Sequence, residues 1–117
     1  MAKYMFLFRG GGYATPGLLS PTELQQHLGR WNAWVDGLRA AGREPLGQPL
    51  DHGGKTVRGR ARTVTDGPYA ESKDLTSGTL VIEAPSLDAA TELAHGCPIF
   101  EFDGSVEVRP VNVSPPK

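Results

Sequence analysis

The sequence predicts an α+β domain with the element order βαββαβ, carrying extra strand material near its middle. Three observations lead there. Two short runs, Lys3 to Phe8 and Gly78 to Ala84, are apolar on both faces, as strands buried from both sides are. After Ser20, and again after Ser86, apolar residues recur at helical spacing. A last branched run, Val106, Val108 and Val111, alternates as a strand does.

In the first run Tyr4, Phe6 and Phe8 fall on one face and Met5 and Leu7 on the other. Arg9-Gly10-Gly11-Gly12 breaks the strand and opens a loop reaching Leu19; no Gly-Lys-Ser/Thr follows, so this is not a phosphate-binding loop. The long helix has a well-marked start: Ser20 suits the N-cap, Pro21 the first helical position, and Glu23 completes a capping box. Leu24, Leu28, Trp31, Val35 and Leu38 form its apolar stripe, and Gly42 is placed to end it. From Glu44 to Thr65 the pattern reads as an irregular hairpin, with Leu46 and Leu50 in strand positions and Asp51-His52-Gly53-Gly54 as a turn. Pro68 to Ser77 is a polar loop before the second apolar strand. Ser86 caps a shorter helix running to about His95, with Leu87, Ala90, Leu93 and Ala94 inward and Gly96 closing it. Pro110 marks the last strand as near an edge or its end.

This is the split βαβ, or ferredoxin-like, arrangement. Both helices would cover one face of an antiparallel sheet. Because the two central strands are apolar on both sides, the other face would be a large exposed patch unless a second copy covers it, and a homodimer with sheets packed face to face follows.

At 117 residues, residues 1–117 form a single domain. A net charge of −1 supplies no global field toward nucleic acid or an anionic membrane. The single cysteine, Cys97, cannot form an internal disulfide, no apolar run of about 18 residues exists to span a bilayer, and the start lacks the layout of a signal peptide. A reduced, cytoplasmic protein is expected.

The most distinctive segment is Val64-Thr65-Asp66-Gly67-Pro68-Tyr69-Ala70-Glu71. An Asp before Gly-Pro is turn chemistry first: its side chain accepts from backbone N–H groups beyond it, and Gly tolerates positive φ. Together with Lys3-Tyr4-Met5-Phe6-Leu7, Ser20-Pro21-Thr22-Glu23, Thr56-Val57-Arg58, Gly78 to Ala84 and Val106-Glu107-Val108-Arg109-Pro110, the segment makes six ordered blocks. In these the chain resembles the YCII-related family, in particular its DGPF branch, with Tyr69 where that branch has Phe. The resemblance implies a dimeric α/β barrel. It also implies a His–Asp site on the long helix, since Gln26-His27-Leu28, the Gly42 stop and Pro49-Leu50-Asp51 are similar to that helix in the broader family.

Periodicity independently places His27 within the apolar stripe, where an imidazole is either a core-edge residue with one hydrogen bond or an acid–base group working near neutral pH. Asp66, and after it Asp51, are the candidate carboxylates to orient it. Trp31, Trp34 and Tyr69 would wall a pocket, and Ser77 at a strand start could approach a ligand. Arg58, Arg60 and Arg62 alternate, so they share one face if the strand is regular; Arg58 or Arg60 could clamp a small anion, and a solvated hairpin face is the plainer alternative. The run is short and carries no aromatic, which argues against nucleic acid. His52 and His95 have no metal-site spacing to His27, so no metal is expected; Cys97 reads as a small buried hydrophobe. No nucleophile elbow is present. Three readings follow: a cofactor-free enzyme of lyase or isomerase type using His27 and an Asp on a small anionic or aromatic ligand; a non-catalytic ligand-binding or transcription-associated regulatory dimer; and a bare dimerisation scaffold.

Overall fold

A computed structural model describes residues 1–10, 18–51, 53–67 and 76–112. Strand β1 (Ala2–Arg9) is followed by helix α1 (Pro21–Ala40), β2 (Leu46–Pro49), the pair β3 (Lys55–Arg58) and β4 (Thr63–Asp66), then β5 (Thr76–Ala84), helix α2 (Leu87–Ala94), a 3-10 turn Pro98–Phe102 and β6 (Ser105–Pro110). The main sheet has the order β2-β5-β1-β6, antiparallel throughout. That is the ferredoxin-like order, with β3 and β4 as a separate two-stranded insert.

Period-two alternation decides which face is covered. Tyr4, Phe6 and Phe8 of β1 and Leu80, Ile82 and Ala84 of β5 are buried, while Met5, Leu7, Thr79 and Val81 between them are half-buried. Both helices pack on the first set through Trp31, Trp34, Leu38, Ala90 and Ala94. The Phe6 ring stacks 6.0 Å from Trp34, and Phe8 meets Trp31 edge-on at 5.0 Å.

The capping box at Ser20 forms as expected, with the Glu23 N–H donating to Ser20 Oγ and the Ser20 N–H donating to Glu23, both at 3.1 Å. At the other end Gly42 takes φ +76°, its N–H donates to Arg39 and that of Arg43 to Leu38, a Schellman closure that needs a residue without a Cβ strain penalty. The apolar stripe is displaced from its expected centre. His27 and Leu38 are the buried residues of α1, whereas Leu28 is 41% exposed, because it sits about a quarter turn from the line through His27, Trp31, Trp34 and Leu38.

The expected irregular hairpin divides in two. β2 joins the main sheet with Leu46 opposite Val81, while among the described residues β3 and β4 pair only with each other and stand as an arm with little packing on the body. Gly59 and Arg62, both at positive φ, make the arm's turn, so Arg60 and Arg62 lie in that turn and do not share a strand face with Arg58. β5 starts at Thr76, two residues before the expected strand start at Gly78. No helix is long and apolar enough to cross a membrane among the described residues.

Candidate functional site

The most unusual residue in the interior is His27. It has no exposed surface and ranks with Phe6, Ile82 and Ile99 as the largest fully buried side chains. An imidazole there must have its polar atoms satisfied. Its Nδ1 lies 3.0 Å from Glu101 Oε2, and its Nε2 lies 2.9 Å from Nε1 of Trp31, one helical turn along α1. An indole N–H only donates, so Nε2 is the bare acceptor and the proton sits on Nδ1, facing the carboxylate. The ring is thus the neutral Nδ1–H tautomer. Phe102 packs edge-on against it at 4.8 Å.

Glu101 is placed by the 3-10 turn. Pro98 and Ile99 are buried, anchoring that turn beneath α1, and Asp103 at φ 58° lets the chain reverse into β6. The N–H groups of Asp103 and Gly104 close the turn on Phe100 and Ile99. The Glu101 carboxylate also receives Arg30 Nε, at 2.6 and 3.1 Å to its two oxygens. This guanidinium bond is the chief reason the carboxyl lies below the ordinary range; partial burial opposes it, and the His27 bond adds to it. The result is a chain Arg30–Glu101–His27–Trp31 joining α1 to the 3-10 turn.

The expected carboxylates stand elsewhere. Asp66 ends β4 and pairs with Lys55 across the arm; its side chain is 90% exposed, so it is not seated against a ring with no exposure. Asp51 is also exposed. The carboxylate on His27 is Glu101, which sequence reasoning passed over. Its signal was an acid between Phe100 and Phe102 after a helix-starting Pro98, and only the turn's path beneath α1 reveals what it meets.

A cleft of about 630 Å³ opens between α1 and the β2–β5 edge, walled by Phe8, Trp31, Val35 and Leu80 with Asn32 and Gln48 among its polar groups. Trp31 and Ser77 line it, and the Ser77 hydroxyl also donates to the Phe8 carbonyl at 3.3 Å. Asp36 and Arg39 line it as an ion pair at 3.0 Å. Trp34 is not among its walls: its indole N–H donates to the Leu93 carbonyl and its ring belongs to the core. Neither Arg58 nor Arg60 lines the cleft. Tyr69, Pro68 and His52 lie outside the described residues. Burial pushes the Cys97 thiol up to about 12, so it is an inert buried group. His95 Nδ1 lies 3.0 Å from the Thr91 carbonyl at the surface. No cluster of three or more metal-ligating side chains occurs among the described residues.

The model of the YCII-related domain matches residues 3–113, and the chain is a member of that family. No curated protein matches the sequence. Among solved structures the chain is similar to 5-chloro-2-hydroxyhydroquinone dehydrochlorinase from Burkholderia phenoliruptrix, in complex with 2,5-dihydroxybenzoquinone, at 18% identity over 94% of this chain and 93% of that one, with a TM-score of 0.45.

Proposed function

We propose that this YCII-family chain, of the DGPF branch, is a cytoplasmic small-molecule enzyme in which His27 moves a proton for a ligand held in the α1/β2–β5 cleft. The observation that carries the reading is the fully buried imidazole whose Nδ1–H is held by a carboxylate that is itself held by an arginine. That arrangement fixes the tautomer and leaves Nε2 as the basic atom. In the step proposed, an O–H, N–H or acidic C–H bond of the ligand breaks, Nε2 takes the proton, and the electron pair stays on the ligand. The imidazolium so formed is balanced by Glu101, and the proton returns to the ligand at a second atom or to its leaving group. No cofactor is assigned to this step.

The chain acts as a homodimer in this reading. Met5, Leu7 and Val81 on the open sheet face are half-buried, and Leu46 beside Val81 is 76% exposed. The smallest dimension is 18 Å, the depth of one sheet and one helix layer, and the radius of gyration is 16.0 Å against about 13 Å for a compact chain of this length. An arm whose cross-strand pair Val57 and Val64 is 62% and 57% exposed also needs an apolar surface to rest on. Light scattering should return a dimer mass at micromolar concentration and a monomer for Leu46→Asp; a native monomer there removes this part.

One observation favours the non-catalytic alternative, a ligand-binding dimer: the Trp31 N–H already occupies Nε2. The two separate in one experiment. A panel of small aromatic and hydroxy acids at millimolar concentration is screened by melting temperature; a ligand at ten times its Kd adds about 1.4 kcal/mol, roughly 4–6 °C. Binders are then followed by NMR in D2O for deuterium entering acidic C–H positions. Enzyme-dependent exchange lost in His27→Gln supports proton transfer. Binding without exchange supports the second reading, and no binder at all sinks both.

A further inference from the structure

We infer that Trp31 gates this site: it is a positioning residue whose indole closes Nε2 of His27 and forms the wall between that nitrogen and the cleft. Among the described residues, Trp31 is the one that both lines the cleft and bonds to His27. The buried ring has Glu101 at its Nδ1 and the Trp31 indole N–H at its Nε2, with Phe102 against its edge. The indole is half-buried, meets Phe8 and Trp34 edge-on, and lines the cleft.

The chemistry of the acceptor then constrains the ligand. Displacing the indole takes from Nε2 the N–H it accepts, in a dry environment, a loss that a purely apolar molecule cannot repair. The occupant that opens the gate must bring its own O–H or N–H on a largely apolar body, and that is also the proton the proposed base would take. The cleft's own charge agrees, because Asp36 and Arg39 neutralise each other there. This inference rests on the proposed reading for its chemistry, but its geometry can be tested without any ligand.

Diethyl pyrocarbonate acylates unprotonated imidazole nitrogen, and peptide mass mapping reads each histidine separately. In the native protein His27 should react far more slowly than exposed His95. In Trp31→Phe, which keeps an aromatic ring but removes the N–H, His27 should react about five- to tenfold faster, the ratio expected for losing one net hydrogen bond, with His95 unchanged and melting still cooperative. Equal rates at His27 in the two proteins overturn the gate, as does a native His27 as reactive as His95. If the variant fails to fold, long-range 1H–15N spectra of the native ring decide: a proton on Nδ1 and a bare Nε2 agree, and a proton on Nε2 overturns the inference because the indole could not then donate. Faster acylation in Trp31→Phe with no ligand in the panel leaves the gate standing and removes the enzyme. Catalysed exchange with His27 equally protected in both proteins removes the gate alone.

Discussion

Replacing Glu101 by Ala tests the central pair, because it strips the partner from a donor that has no exposed surface. The Nδ1–H of His27 would lose a charge-assisted bond of 3.0 Å, and such bonds contribute about 1.5–3 kcal/mol. The carboxylate itself is 37% exposed, so water screens its charge and enters part of the space it vacates. The share carried by Arg30, 51% exposed, is held to roughly 0.5 kcal/mol or less on the same ground. A total near 2 kcal/mol follows, which in a chain of 117 residues lowers the melting temperature by about 8 °C. Glu101→Gln keeps an acceptor for Nδ1–H and should cost about half as much. The pH dependence supplies the sharper check. The folded-state pKa of Glu101 is depressed below the ordinary 4.5, mainly by Arg30, so its contribution is complete above 4.5 and is lost as pH falls through the depressed value. Urea unfolding of native and Glu101→Ala protein should therefore show a gap at pH 7 that narrows by pH 3. A gap under about 0.5 kcal/mol at pH 7, or one that does not change with pH, would refute the reasoning.

Other outcomes follow from the same structure. The Glu44 carboxyl is raised by its hydrogen bond to Glu83 and by that neighbour's charge, so its favourable contribution is present in acid and lost as pH rises through the raised value; Glu44→Gln should melt higher than the native protein at pH 7 and alike near pH 4, and a pH-independent difference would contradict this. Ser20→Ala removes the α1 cap and should cost about 1 kcal/mol by urea titration, with no loss refuting the capping role. A Cβ on Gly47 would stand 2.0 Å from the Thr79 carbonyl oxygen, so Gly47→Ala must move β2 off β5 and should cost about 3 kcal/mol; unchanged stability would show that the edge strand pairs otherwise.

Much of the frame was legible along the chain. Ser20, Pro21 and Glu23 mark the start of α1, and Gly42 its end, because capping and positive φ are local chemistry. The same holds for Gly67, whose φ of 88° fits the turn expected after Asp66. Helical periodicity also turned His27 inward. It could not identify the carboxylate, because Glu101 is 74 residues away and reaches His27 only through a 3-10 turn whose path depends on buried Pro98 and Ile99. The DGP segment pointed to Asp66, and that residue ends its strand as read, but the strand belongs to an arm that leaves the body.

What the order of residues determined alone is the set of elements and their faces, since periods of two and of three to four, with Ser, Pro and Gly at the boundaries, act over a few neighbours. What tertiary structure decided is which distant groups meet: Glu101 on His27, Arg30 on Glu101, and β2 within the main sheet while β3 and β4 stand apart. Such contacts depend on how whole elements pack, and no spacing along the chain records that distance.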